Sequence, residues 1–192
     1  TDYETAFELA DLLEREASIE EAEKVLVDAL AASGNDLKVQ EHLEDRQIRW
    51  SKRRVMLAEK QVQISDNEAT RETLDRLRTA LVKQEIDIFA ARVERYPDNV
   101  SWKFELAIRL KTAGSPAEAI KYFQAVQVDS RRRGAVALEL GECFQKIKQY
   151  PLAMRNYQTA VESLGEREID LRKRALYRAG VLAAALKDRD AA

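Results

Sequence analysis

The side chains that could perform chemistry are sparse in this 192-residue chain, and their spacing argues against catalysis. There is one histidine, His42, and one cysteine, Cys143. A lone imidazole cannot build a multi-histidine metal site, and "KVQEHLEDR" places no serine or cysteine nucleophile motif beside it. His42 therefore reads as an ordinary surface or hinge residue. Cys143 excludes an intrachain disulfide and a zinc site made of cysteines; one residue before the core-facing Phe144, it reads as a packed thiol. Carboxylates are abundant, but in "EREASIEEAEK" they follow the spacing of a solvated helix face. No glycine-rich phosphate loop occurs. The reading is a non-enzyme with no cofactor and no metal. Two cationic runs could grip a phosphate or an acidic partner, or else be solvated: "SRRRG" at 130–134, and "DLRKRALYR", whose Arg174 and Arg178 stand one helical turn apart.

The elements that must position these groups are helices. Six glycines and three prolines are few for this length, and Ala, Leu, Glu, Arg and Lys dominate, a mixture that favours helix over strand. The apolar fraction supports a real core. A net charge of −2 conceals a polarity: residues 1–36 carry 2 basic and 11 acidic side chains, whereas 97–192 carry 17 basic and 12 acidic. That basic excess is too small for a nucleic-acid binder. No apolar run approaches the roughly 20 residues that span a bilayer, and the N-terminal stretch is acidic where a signal peptide is basic. No membrane contact and a cytoplasmic location are expected.

The C-terminal half repeats itself. Leu106, Ala107, Leu110, Ala119, Phe123 and Val126 recur as Leu140, Gly141, Phe144, Ala153, Tyr157 and Ala160, each shifted by 34 residues. Each unit reads as two helices with one apolar face apiece, small residues allowing close approach and an aromatic filling the space above them. "GSPAEAI" supplies a glycine stop at Gly114, an N-cap at Ser115, Pro116 in the first turn and Glu118 to close a capping box. With these features the segment 100–164 resembles the tetratricopeptide repeats, a family of 34-residue helix-turn-helix units. The resemblance implies an all-α, right-handed superhelical array.

Weaker copies flank this pair. Leu9, Ala10, Leu13, Ala22, Leu26 and Ala29 keep the same internal spacings, with Ser18 and Glu21 as a second capping box. Residues 1–36 are thus expected as a repeat-like hairpin, and 97–192 as repeat units of which the last is truncated. Gly180 follows Gly141 by 39 residues because "LGEREIDLRK" intervenes. Residues 37–96 depart from the pattern and read as two long helices of about 40 Å each, broken at "SDNE" with Ser65 and Glu68 as capping box. Their seam is expected to oppose Leu43, Trp50, Leu57 and Ile64 to Leu74, Leu77, Leu81 and Ile88, while Glu85 and Arg92 stand where the family wants small residues.

The resemblance also implies a site. Tetratricopeptide ligands lie along the concave face formed by the first helices of successive units. Projected here, that face holds Phe104, Glu105, Ile108 and Lys111, then Leu138, Glu139, Glu142 and Gln145, then Arg174, Tyr177 and Arg178. The clamp that holds chaperone C-termini is disfavoured, because Ile108, Glu142 and Val181 stand where asparagine would serve. The expected function is a non-catalytic scaffold holding a peptide or helix of a protein partner. The alternatives are self-assembly as a homo-oligomer and a regulatory region of a larger enzyme. Ala192 falls where Ala119 and Ala153 begin a buried face, so the chain reads as a fragment of a longer protein, with Leu176, Ala179, Gly180, Ala183 and Leu186 left exposed.

Overall fold

With few helix breakers, the apolar periodicity runs on until a turn residue interrupts it, and the helices follow those interruptions. The computed structural model describes residues 3–127 and 129–190. All regular structure among them is helical: α1 (Tyr3–Arg15), α2 (Ile19–Ala32), α3 (Leu37–Ile64), α4 (Glu68–Arg95), α5 (Val100–Thr112), α6 (Pro116–Val126), α7 (Arg133–Lys146), α8 (Tyr150–Ser163) and α9 (Ile169–Asp190). Single 3-10 turns at Ser130–Arg132 and Glu166–Glu168 precede α7 and α9. The chain divides into two compact units, Thr1–Glu85 and Ile86–Ala192. Ala192, on which the fragment reading turned, lies outside the described residues.

Two kinds of joint connect the helices. Within the pairs α1–α2, α5–α6 and α7–α8, a left-handed residue ends the first helix: Ala17 at φ 64°, Gly114 at 84° and Lys148 at 61°. The next amide donates back along the chain, Ser18 to Leu13, Ser115 to Leu110 and Gln149 to Phe144, each at 2.9 Å. This Schellman closure satisfies the orphan carbonyls of the first helix. It also displaces the expected capping boxes. Ser18 and Ser115 sit at ψ 62° and 60°, and neither side chain bonds a helix amide. Capping works from extended backbone. Asp36 at ψ 128° and Asn99 at ψ 98° have that backbone, and their side chains accept from the amides of Lys38 and Val39, and of Ser101 and Trp102. At the start of α4 the cap is Asn67 rather than Ser65: its Oδ1 accepts from Thr70 N at 3.0 Å while its own amide donates to Thr70 Oγ1.

The core of the first unit gathers Ala10, Ala22, Leu26, Leu43 and Trp50, with Phe7, Leu13, Ile19 and Leu30 against them. Leu9 is exposed although its counterparts Leu106 and Leu140 are buried; α7 packs on α6, while α1 has no preceding helix among the described residues. Arg46 is buried here and bonded on several sides. It donates to Asp11 at 2.6 Å and to His42 Nε2 at 2.9 Å, and its Nη1 lies 3.1 Å from Glu14. Trp50 Nε1 donates to the same Glu14. His42 is half-buried and engaged: its ring stacks on Phe7 at 3.8 Å, and burial followed by the Arg46 charge holds its pKa below the ordinary 6.5.

The long seam forms only in part. Leu43, Trp50 and Leu74 are buried, but Leu57 is 53% exposed and Ile64 80%. Between α3 and α4 the links include polar side chains: Ser51 donates to Gln84, Lys52 pairs with Glu85 at 2.9 Å and Arg78 with Glu59 at 2.8 Å. At the hairpin's far end Leu57, Ala58, Gln61, Ala69, Thr73 and Leu77 line a cavity of about 530 Å³ in place of a closed seam.

In the second unit the repeat governs packing. Leu106, Ala107, Leu110, Ala119, Phe123 and Val126 are buried, as are Leu140, Gly141, Ala153, Tyr157 and Ala160. A second cluster of Leu138, Ala153, Tyr157, Leu164, Ala175 and Leu182 ties α7 and α8 to α9. Leu176, Gly180 and Ala183 are exposed on α9, but Ala179 and Leu186, expected to be so too, pack partly against this cluster. Arg92 is buried with its guanidinium 4.9 Å from the Trp102 ring.

Gly141 marks the tightest contact, since a Cβ there would stand 2.5 Å from the Tyr157 ring. Its sequence equivalent Gly180 would meet nothing within 4 Å. Gly141→Ala is therefore expected to destabilise the second unit by about 1–3 kcal/mol through overpacking, whereas Gly180→Ala gains roughly 0.5–1 kcal/mol from helix propensity. Urea unfolding of both variants checks the difference in sign.

Candidate functional site

The first helices of the second unit, α5, α7 and α9, carry the residues projected onto a binding face. On α7, Glu139 and Glu142 are both largely buried. Two carboxylates taken out of water at this spacing repel each other and need cations. Helices on either side supply them. Lys111 from α5 donates to both Glu139 and Glu142. Arg174 from α9 donates through Nε to Glu142 at 2.8 Å and sets Nη1 3.3 Å from Glu139. Arg178, one turn on, stands 3.3 Å from Glu142. The structure thus brings five of the projected residues into one network across three helices.

Its electrostatics follow from burial and partners. Burial works to raise the Glu142 pKa, but hydrogen bonds from Arg174 and Lys111 outweigh it and hold the group below the ordinary 4.5. Arg174 is pushed up by the Glu142 bond. Beneath the network Cys143 is buried and its pKa rises to about 11 through desolvation. The buried Tyr157 hydroxyl is likewise raised by desolvation and then by the Glu142 charge; it donates to Gln145 Oε1 at 2.6 Å. Neither group is a nucleophile at neutral pH.

The remaining projected residues are placed differently. Phe104 meets Phe123 edge-on at 5.8 Å, with the Arg132 guanidinium 5.1 Å from its ring. Glu105 pairs along α5 with Arg109, and Ile108 is half-buried. Tyr177 is 67% exposed. Leu138 is fully buried in the cluster joining α7 to α8 and α9, so it supports the face from beneath and cannot touch a ligand above it. Of the cationic run, Arg131 and Arg132 stand near Asp129, and Arg132 also donates to Ser101.

Lys111, Glu142, Gln145 and Arg178 also line a cavity of about 620 Å³. It extends past the face to Thr112, Gly114 and Pro116 at one turn and to Lys146, Lys148 and Tyr150 at the next. The projection missed these residues because they lie in the turns and at the helix ends that flank them, beyond the projected helix face. The recurrence of the turn at a spacing of 34 residues was the available signal. Among the described residues no three His, Cys, Asp or Glu side chains form a group that could hold a metal ion, and no helix is long and apolar enough to cross a membrane.

No family model matches the chain, and no curated protein does. Among solved structures it is similar to a thermophilic TPR protein of Thermus thermophilus, with 12% sequence identity over 91% of this chain and 97% of that one and a TM-score of 0.47. A likeness that loose carries no functional argument, so the side-chain geometry must supply it.

Removing the Glu142 charge leaves Lys111, Arg174 and Arg178 facing Glu139 with unmatched positive charge. Breaking a fully buried pair costs about 3–5 kcal/mol; here the two arginines are partly exposed and screened, so Glu142→Gln is expected to cost roughly 2 kcal/mol. Because the folded pKa is depressed, the carboxylate's contribution is complete above the ordinary 4.5 and is lost as pH falls through the folded value. Denaturant unfolding should therefore show the gap between wild type and Glu142→Gln closing in acid.

Proposed function

We propose that this chain is a non-catalytic helical-repeat scaffold whose α5, α7 and α9 face holds a peptide or helix of a partner protein. The observation that carries this reading is the charge network joining those three helices, continuous with a cavity of a size that can receive ligand side chains. Lys111, Glu139, Glu142 and Arg174 are cross-braced before any partner arrives, so binding costs little ordering of the host. Phe104, Glu105, Ile108, Gln145, Tyr177 and Arg178 contribute apolar and polar contact around them, with Leu138 as support. Tyr177, large, exposed and amphipathic, has the character of a binding hot spot.

Peptides selected from a random display library against the protein are expected to protect α5, α7 and α9 from hydrogen exchange, and Tyr177→Ala to weaken them about tenfold. An empty selection, or protection confined to the first unit, overturns the reading.

A second reading, self-association through α9, is favoured by one observation: Leu176, Tyr177 and Val181 form an exposed apolar strip on that helix. The sequence's acidic first 36 residues and basic last 96 would favour unlike ends meeting. Sedimentation at low and high salt decides it. A salt-sensitive dimer lost in Leu176→Glu supports self-association, and a monomer at high protein concentration and low salt removes it.

A further inference from the structure

The cavity at the turn end of the face has an unbalanced charge. Its lining includes Lys111, Lys146, Lys148 and Arg178 but a single carboxylate, Glu142. That carboxylate is already engaged by Lys111, Arg174 and Arg178, and Glu139 by Lys111 and Arg174. The five-membered network sums to +1. Lys146 and Lys148 add two more charges; both are exposed, and neither has a carboxylate partner among the described residues. We infer that this cavity anchors an acidic segment of the protein partner, taking neighbouring aspartate or glutamate side chains between Lys146, Lys148 and Arg178.

The inference rests on the scaffold reading and names the chemistry of its partner. Three features favour carboxylates on a peptide. The lysines are flexible point charges at the lip, able to follow carboxylates at variable spacing, whereas a rigid guanidinium fork selects one geometry. Lys148 occupies the left-handed turn position, so the two lysines flank the exposed Ile147 at the end of α7 rather than lying along a helix side. Pro116 and Tyr150 add apolar lining suited to the stems of acidic side chains. A polyphosphate strand finds less here. The local excess acts within about one Debye length of 8–10 Å, and a chain of net charge −2 has no extended basic tract to neutralise successive phosphates.

The test uses labelled peptides with four consecutive glutamates, or four glutamines, between Gly-Ser ends, and an oligothymidylate of equal length. Fluorescence anisotropy at about 50 mM salt is expected to show the glutamate peptide bound about tenfold more tightly than either other probe, the difference shrinking as salt rises. The double variant Lys146→Gln/Lys148→Gln, at exposed positions, should abolish that preference while leaving the circular dichroism spectrum unchanged and the melting midpoint lowered only slightly. Equal binding of the glutamate and glutamine peptides, an unaffected double variant, or tighter binding of the oligothymidylate overturns the inference. Display-selected peptides that protect α5, α7 and α9 but show no Asp or Glu enrichment overturn it too and leave the scaffold reading standing, whereas an empty selection removes both.

Discussion

Close approach between the helices of a pair is the constraint on which the second unit depends. The Tyr157 ring lies over Gly141 so tightly that a methyl group there would overlap it, and Ala107, Ala119 and Ala153 keep the neighbouring crossings equally free of bulk. From that contact much else follows. It sets α8 against α7, holds Gln145 through the tyrosine hydroxyl and leaves Ala137 and Leu138 pointing into the cluster shared with α9. Only with α9 seated on that cluster do Arg174 and Arg178 reach Glu142. The charged face is thus a consequence of apolar packing, and its energetics ride on a contact made by residues with no charge.

Each unit also accommodates buried charge, and the two do so by different means. In the first, Arg46 is surrounded by Asp11, Glu14 and the neutral ring of His42, whose depressed pKa keeps it an acceptor for the arginine. In the second, Arg92 lies against the Phe89 and Trp102 rings, while Glu139 and Glu142 are matched by cations from two other helices. A network of this kind contributes less to net stability than its short distances suggest, because desolvation offsets most of the attraction. What it does secure is geometry: a shift of α9 relative to α7 would strand a carboxylate.

That geometry is what the proposed scaffold role needs. The buried thiol and phenol beneath the face are both driven toward their protonated forms, so the face offers fixed charges and apolar contact rather than a nucleophile. Of the cations that line the cavity, Lys146 and Lys148 at the turn end lack a carboxylate partner among the described residues, whereas Lys111 and Arg178 on the helices are engaged by Glu142. In the proposed scaffold role a partner would meet a nearly neutral strip ending in a positive pocket.

Helix identity, the 34-residue recurrence and the burial of residues such as Ala119, Phe123 and Tyr157 were legible in the chain itself, because periodicity, side-chain size and turn residues act over a few neighbouring positions. That Lys111, Glu139, Glu142, Arg174 and Arg178 lie on α5, α7 and α9 was legible for the same reason. The failures share a different cause. The Ser18 and Ser115 capping boxes do not form because each serine amide closes the turn of the helix before it and its ψ lies near 60°, a closure that reaches back five residues. Leu57 and Ile64 stay exposed, and Leu138 is buried, according to how near another helix comes. The pairing of Glu142 with Lys111 and Arg174 spans 31 and 32 residues, and the gathering of Lys146 and Lys148 with Arg178 needs α7 and α9 side by side. Local sequence determined which helices form and which face of each is apolar. Tertiary structure alone decided which charges find partners and which are left without one, since that depends on distances between segments far apart in the chain.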